Sequence, residues 1–391
     1  MLIVLGVALA CSIGELATRG MTRWKDGVPY LGPIRLQPFR PDRARVEREL
    51  TDILEGRTIT SFDPTTGWTL RPSCNVENGR YQTDARGFRV GSDGARSSRG
   101  QPRILAIGDS FTFCSEVDAA DSWPVLLEQG LGGGAEVLNL GVPAFGIDQA
   151  VLRYEQAGSR ERPDRVILGL FPDDLPRHVN VFRCMLQESD WPLSKPRFLM
   201  RSDGTLELLN VPCLEPARLP DVLARLEDEP LAAHDAWCDP WFLRALDVLP
   251  SRFAALNTSA IRREWHWQVE KRCARPGPDG LDLTRAIVQR LRTAVERDGA
   301  TLSAVFIPGR RETTKDYDVV RDALLAMAHS LGLEVADPTG EFRRIAREHA
   351  GGAEALYVGG NGHCTRLGNE TIAQAVLRQW RSVPTPTQRP R

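Results

Sequence analysis

The feature that most limits how this 391-residue chain can fold is a run of short, wholly apolar segments alternating with amphipathic ones. "ILAI" (104–107), "EVLNLGV" (136–142) and "RVILGLF" (165–171) read as strands, with the helical patterns "DSWPVLLEQGL" (121–131) and "IDQAVLRYEQAG" (147–158) between and around them. After a break of about a hundred residues the alternation resumes. The helix "LTRAIVQRLRTAVERDG" precedes the strand "LSAVFI", the helix "DVVRDALLAMAHSLG" and the strand "LEVAD". Two closing helices cover "TGEFRRIAREHA" and "LGNETIAQAVLRQW". A strand without a polar face has both faces buried, which a parallel sheet covered by helices provides.

Because such crossovers are right-handed, the expected architecture is one doubly wound α/β domain. It has a flavodoxin-like parallel sheet of about five strands flanked by helices, with an N-terminal extension and a large insertion after the third strand. The expected division is a hydrophobic N-terminal anchor over 1–18 and an extension with short strands over 19–100. The two halves of the α/β domain follow, over 101–179 and 281–383. They are separated by the insertion over 180–280, and a Pro-rich tail closes the chain over 384–391. The insertion carries Trp191, Trp237, Trp241, Trp265 and Trp267, expected as its own core, with a lid or a sugar-stacking wall as the alternative.

Fifty basic residues against fifty-one acidic ones give a net charge of −1, and no basic run carries interleaved aromatics; this argues against a nucleic-acid partner. No Gly-rich phosphate loop follows any strand and no Cys/His spacing suits zinc, so neither cofactor nor metal is expected. "MLIVLGVALACSIGELATRG" is apolar for about fourteen residues, short of the roughly 18–20 that span a bilayer, yet it reads as a membrane anchor. Four of the eight cysteines, Cys184 to Cys273, crowd the insertion, which favours disulfides and an extracytoplasmic side, with free thiols in a cytoplasmic enzyme as the alternative.

In sheets of this kind chemistry collects at the carboxyl ends of the strands, where Ser110, Gly141 and Asp173 each follow a strand. "GDSFTF", "NLGVPAFG", "GLFPDDL" and "GHCTRLGN" resemble, in order, the blocks of the SGNH/GDSL hydrolase family, over roughly 101–180 and 281–382. "GWTLRP…ARGFR" upstream resembles the leader of its membrane-anchored bacterial members. The resemblance implies a serine esterase or O-acyltransferase acting on acetyl or short acyl esters, possibly of a cell-surface carbohydrate, through an acyl-serine. Ser110 would be the nucleophile and His363 its base, since a serine hydroxyl needs a base to take its proton. The N–H groups of Ser110 and Gly141 would hold the oxyanion. Taken alone, Ser110 also suits a helix N-cap, and His178 suits a surface loop.

Two positions depart from the family's pattern. Asp173 stands where the resemblance implies an oxyanion Asn, and an ionised carboxylate cannot donate; it would serve only if an apolar site kept it protonated. Asn361 and Gly360 stand where the family's acid precedes the histidine. Either Asp173 or Asp174 orients His363 instead, or the chain is a weakened member that binds a ligand without turning it over. Asp109 and Asp174 are expected close behind the site. If the loops of Ser110 and His363 meet, Cys114 and Cys364 come near enough for a disulfide to fix nucleophile and base together.

Overall fold

The computed structural model describes residues 2–25, 28–32, 34–35, 41–90, 102–187, 191–238, 264–315, 318–359 and 362–382. Two compact units share the chain: Met1–Leu50 with Val179–Ser194 and Leu214–Arg272, and Thr51–His178 with Lys195–Cys213 and Cys273–Arg391.

The second unit is built on an eight-stranded sheet. In chain order its strands are β1 (Asn75–Val76), β2 (Tyr81–Thr83), β3 (Arg89–Val90), β4 (Arg103–Ile107), β5 (Glu136–Asn139), β6 (Arg165–Leu170), β7 (Thr301–Phe306) and β8 (Glu334–Ala336). They lie in the order β8-β7-β6-β4-β5-β3-β2-β1. The five strands β4 to β8 are parallel, with Leu138 beside Leu105, Ile167 beside Ala106 and Ser303, and Val335 beside Ala304. Numbered among themselves they run 2-1-3-4-5, the flavodoxin-like order, whose chain reversal at β4 opens a crevice at the carboxyl ends. The apolar runs form these strands because both sheet faces are covered: Ile104 to Ile107 and Val166 to Leu170 are buried throughout. The helix Leu281–Arg297 buries Leu283, Ile287, Val288, Leu291, Ala294 and Val295, the stripe that a 3.6-residue period places on one side.

Residues 75–90, within the extension with short strands expected over 19–100, lengthen the sheet by three antiparallel strands. β3 pairs with β5 through Arg89 and Asn139. The Arg89 side chain is buried and donates to the carbonyls of Phe113, of Cys114 at 2.6 Å and of Val117 at 2.6 Å. Its guanidinium lies 4.5 Å from the Phe113 ring centroid.

In the first unit, the helix Leu2–Met21 contains an 18-residue stretch, Val4–Met21, of mean hydropathy 1.3, with Val4, Leu5, Val7, Leu9, Ile13 and Leu16 exposed. By length and composition it is able to cross a membrane. Elsewhere in that unit the Asp235 carboxylate accepts from the N–H groups of Val181 at 2.8 Å and Phe182 at 2.7 Å. Trp237 is buried edge-on against His266, whereas Trp265 and Trp267 are exposed and Trp241 lies outside the described residues.

His178 is not a surface residue. It is buried in the second unit, with Nδ1 3.2 Å from Thr284 Oγ1. Burial pushes it down to about 4, opposed by Asp148 and aided by Lys195, Arg177 and Arg197. An unfolded chain therefore binds the proton first as pH falls. The stability tied to a neutral His178 is complete above about pH 6.5 and is lost on acidification toward pH 4, by up to about 3 kcal/mol. Urea unfolding across this window will show a flatter pH dependence for His178→Gln than for the natural chain.

Candidate functional site

Strand β4 ends at Ile107 and the next three residues make an abrupt change of direction. Gly108 has φ +154°, and a Cβ there would lie 2.3 Å from Thr112 Oγ1, so the turn requires glycine. Asp109, not Ser110, caps the short helix Ser110–Phe113: its Oδ1 accepts from the Phe111 N–H at 2.9 Å. Its Oδ2 accepts from Arg177 Nη1 at 3.0 Å. With the cap supplied by its neighbour, Ser110 is released from that role, and its N–H makes no hydrogen bond among the described residues.

His363 arrives on the loop before the last helix. Val358 N–H donates to His363 O at 2.7 Å, Thr365 N–H to Leu356 O at 2.9 Å, and Tyr357 Oη to Pro308 O at 2.9 Å. The imidazole lies 4.9 Å from the Phe111 ring, which stacks on Phe171 at 4.0 Å. Its Nε2 is 2.9 Å from Ser110 Oγ, a hydrogen bond between residues 253 apart in the chain. The other ring nitrogen, Nδ1, is buried and makes no hydrogen bond among the described residues, and Glu116 Oε2 stands 3.4 Å away. The expected partners from the histidine loop, Gly360 and Asn361, lie outside the described residues.

The aspartates behind β6 behave differently from expectation. Asp174 is fully buried and its Oδ1 accepts from Arg177 Nη1 at 2.6 Å, the same nitrogen that donates to Phe145 O at 2.6 Å. Burial, and secondarily the charge of Asp109, pushes its carboxyl well above the usual carboxylate range, with Arg177 opposing. Committed to Arg177, Asp174 is not the group that orients His363; the carboxylate beside the imidazole is that of Glu116. Asp173 is exposed, which removes the apolar surroundings that would keep it protonated for oxyanion work.

Gly141 also has a different reason for being glycine. A Cβ would lie 2.3 Å from Phe113 N and 2.7 Å from the Thr112 carbonyl carbon, so the chain just after β5 passes directly against the helix Ser110–Phe113. Its N–H donates to Asn139 Oδ1 at 2.9 Å, while Asn139 Nδ2 donates to Thr112 O at 2.9 Å. The expected oxyanion donor is thus occupied by a side chain two residues before it. Three residues on, Ala144 has φ +64°, and its N–H makes no hydrogen bond among the described residues. Strained non-glycine backbone of this kind concentrates at functional sites. Trp68 Nε1 holds this loop by donating to Pro143 O at 3.0 Å.

Cys114 and Cys364 form no disulfide, and no disulfide is present among the described residues. Both thiols are buried in the apolar core; Cys114 donates to Phe111 O at 3.3 Å, and burial pushes it up to about 12. Cys184, Cys213, Cys238 and Cys273, whose crowding in the sequence favours disulfides, are likewise free and buried.

No family model and no curated protein matches the chain. Among solved structures it is similar to a protein assigned to the G-D-S-L lipolytic family from Desulfitobacterium hafniense DCB-2, at 13% identity and TM-score 0.36, covering 71% of this chain and 99% of that one. It is also similar to Axe2, an acetylxylan esterase from Geobacillus stearothermophilus, at 13% identity and TM-score 0.38, covering 73% and 96%. A third is LAE5, an alpha/beta hydrolase enzyme from the metagenome of Lake Arreo, at 13% identity and TM-score 0.36, covering 73% and 97%.

The contact at Gly141 makes a direct prediction. Gly141→Ala must displace the backbone of Thr112 and Phe113, which no rotamer change avoids. Thermal and urea unfolding will show a loss of about 1–3 kcal/mol, typical of overpacking.

Proposed function

We propose that this chain is a serine ester hydrolase of the SGNH/GDSL type, working through an acyl-serine. The observation that carries this reading is the 2.9 Å contact of His363 Nε2 with Ser110 Oγ at the carboxyl edge of the parallel sheet. Nε2 takes the hydroxyl proton as Oγ attacks an ester carbonyl, and then returns it to the departing alkoxide. Water, activated by the same nitrogen, resolves the acyl-enzyme; a sugar hydroxyl in its place makes the reaction a transfer. The N–H groups of Ser110 and Ala144, neither otherwise engaged among the described residues, are the donors for the tetrahedral oxyanion. Asp173 contributes no donor to this hole, so oxyanion stabilisation rests on backbone alone.

Acetyl and short acyl esters, including those on carbohydrate, are the proposed substrate class, supported by the family resemblance of the four sequence blocks. The helix Leu2–Met21, apolar and exposed, is proposed as the membrane anchor.

p-Nitrophenyl acetate hydrolysis by the detergent-solubilised full chain tests the chemistry. Ser110→Ala is expected to lower kcat by at least about 10³-fold, within the range seen when a hydrolase nucleophile is removed. A fluorophosphonate will label the natural chain and not the variant. Equal rates for both, with no labelling, would instead define a ligand-binding domain without turnover.

A further inference from the structure

We infer that Glu116 is the positioning carboxylate of His363, a role that rests on the serine-hydrolase reading above. Nε2 must be unprotonated to accept from Ser110, so the imidazole proton sits on Nδ1. There it is buried and makes no hydrogen bond among the described residues, with the Glu116 carboxylate 3.4 Å away. A buried donor left without an acceptor is costly, and the Glu116 carboxylate is the acceptor group that stands beside it. Catalytic hydrogen bonds of this kind are often long before substrate binds.

The backbone points the same way. Glu116 has φ +72° and Cys114 has φ +63°, in the left-handed region that favours glycine. A glutamate at such a position strains the chain without filling any core, and strain of this sort is maintained where a side chain has a task. The surrounding structure is arranged to hold it. Arg89 on β3 binds the carbonyls of Phe113, Cys114 and Val117, bracketing the loop on both sides of Glu116. Tyr81 Oη on β2 accepts the Glu116 N–H at 2.8 Å. The strands that lengthen the sheet therefore fix the carboxylate next to the imidazole. The other nearby carboxylates are committed: Asp109 to the helix cap and Arg177, Asp174 to Arg177.

In the reaction Ser110 Oγ gives its proton to Nε2 and its lone pair to the acyl carbon. The Nδ1 proton stays on the ring, and the Glu116 carboxylate faces the imidazolium and fixes the tautomer.

Three variants of the full chain separate this role from a structural one. Glu116→Gln is isosteric and is expected to lower kcat for p-nitrophenyl acetate by on the order of 10²–10⁴-fold with KM little changed, as loss of a triad acid does. Glu116→Gly relieves the backbone, so it is expected to melt at or above the temperature of the natural chain while losing activity comparably. Added formate then restores part of its kcat. Glu116→Asp retains more activity than either. Should Glu116→Gly fail to fold, the Gln variant decides by itself. The inference is overturned if Glu116→Gln keeps kcat within about threefold of the natural chain while Ser110→Ala is dead. If Ser110→Ala is as active as the natural chain, it is the hydrolase reading that has failed.

Discussion

Everything proposed for this chain depends on one hydrogen bond, from Ser110 to His363, that joins residues 253 apart. Closing so long a loop costs conformational entropy, and a single hydrogen bond returns only about 1 kcal/mol net. The contact exists because two rigid supports bring its ends together. Ser110 is set by β4, one of the most buried strands of the sheet, and by the Asp109 cap. His363 is set by the backbone pairing around Tyr357 and Cys364 and by the ring of Phe111.

The second theme is the use of glycine and left-handed backbone to compress the site. Gly108 and Gly141 allow the ends of β4 and β5 to approach the helix Ser110–Phe113 within distances that a methyl group would forbid. Ala144 and Glu116 adopt the left-handed region although they carry side chains. Strain of this sort is kept where the surrounding structure holds a group at a fixed point.

The antiparallel strands β1 to β3 give the sheet a part that a bare parallel domain lacks. Arg89, buried and donating to the carbonyls of Phe113, Cys114 and Val117, links them to the loop after the helix Ser110–Phe113. Burial holds its guanidinium below its usual value, and it lies over the rings of Tyr81 and Phe113. An extension whose sequence resembles a leader is thereby part of the site's scaffold.

What the sequence determined by itself was the parallel sheet and the positions of its carboxyl ends, because apolar runs of strand length and 3.6-residue helical stripes are local signals. Ser110 and His363 were legible for the same reason: each stands in a block whose place beside a strand or a helix is set by its neighbours. The sequence left open what depends on distance between remote atoms. Gly141 stands where an oxyanion donor is expected, but its N–H is bound by Asn139; Arg177 holds Asp174; and Cys114 and Cys364 share one apolar core cluster as free thiols. Glu116 gave no signal at all. A glutamate in "CSEV" belongs to no period and no cap, and its approach to His363 is decided by a left-handed turn and by Arg89 and Tyr81 from strands upstream. Only the folded chain brings those three segments together, since side-chain contacts between them arise from packing geometry that no local pattern encodes.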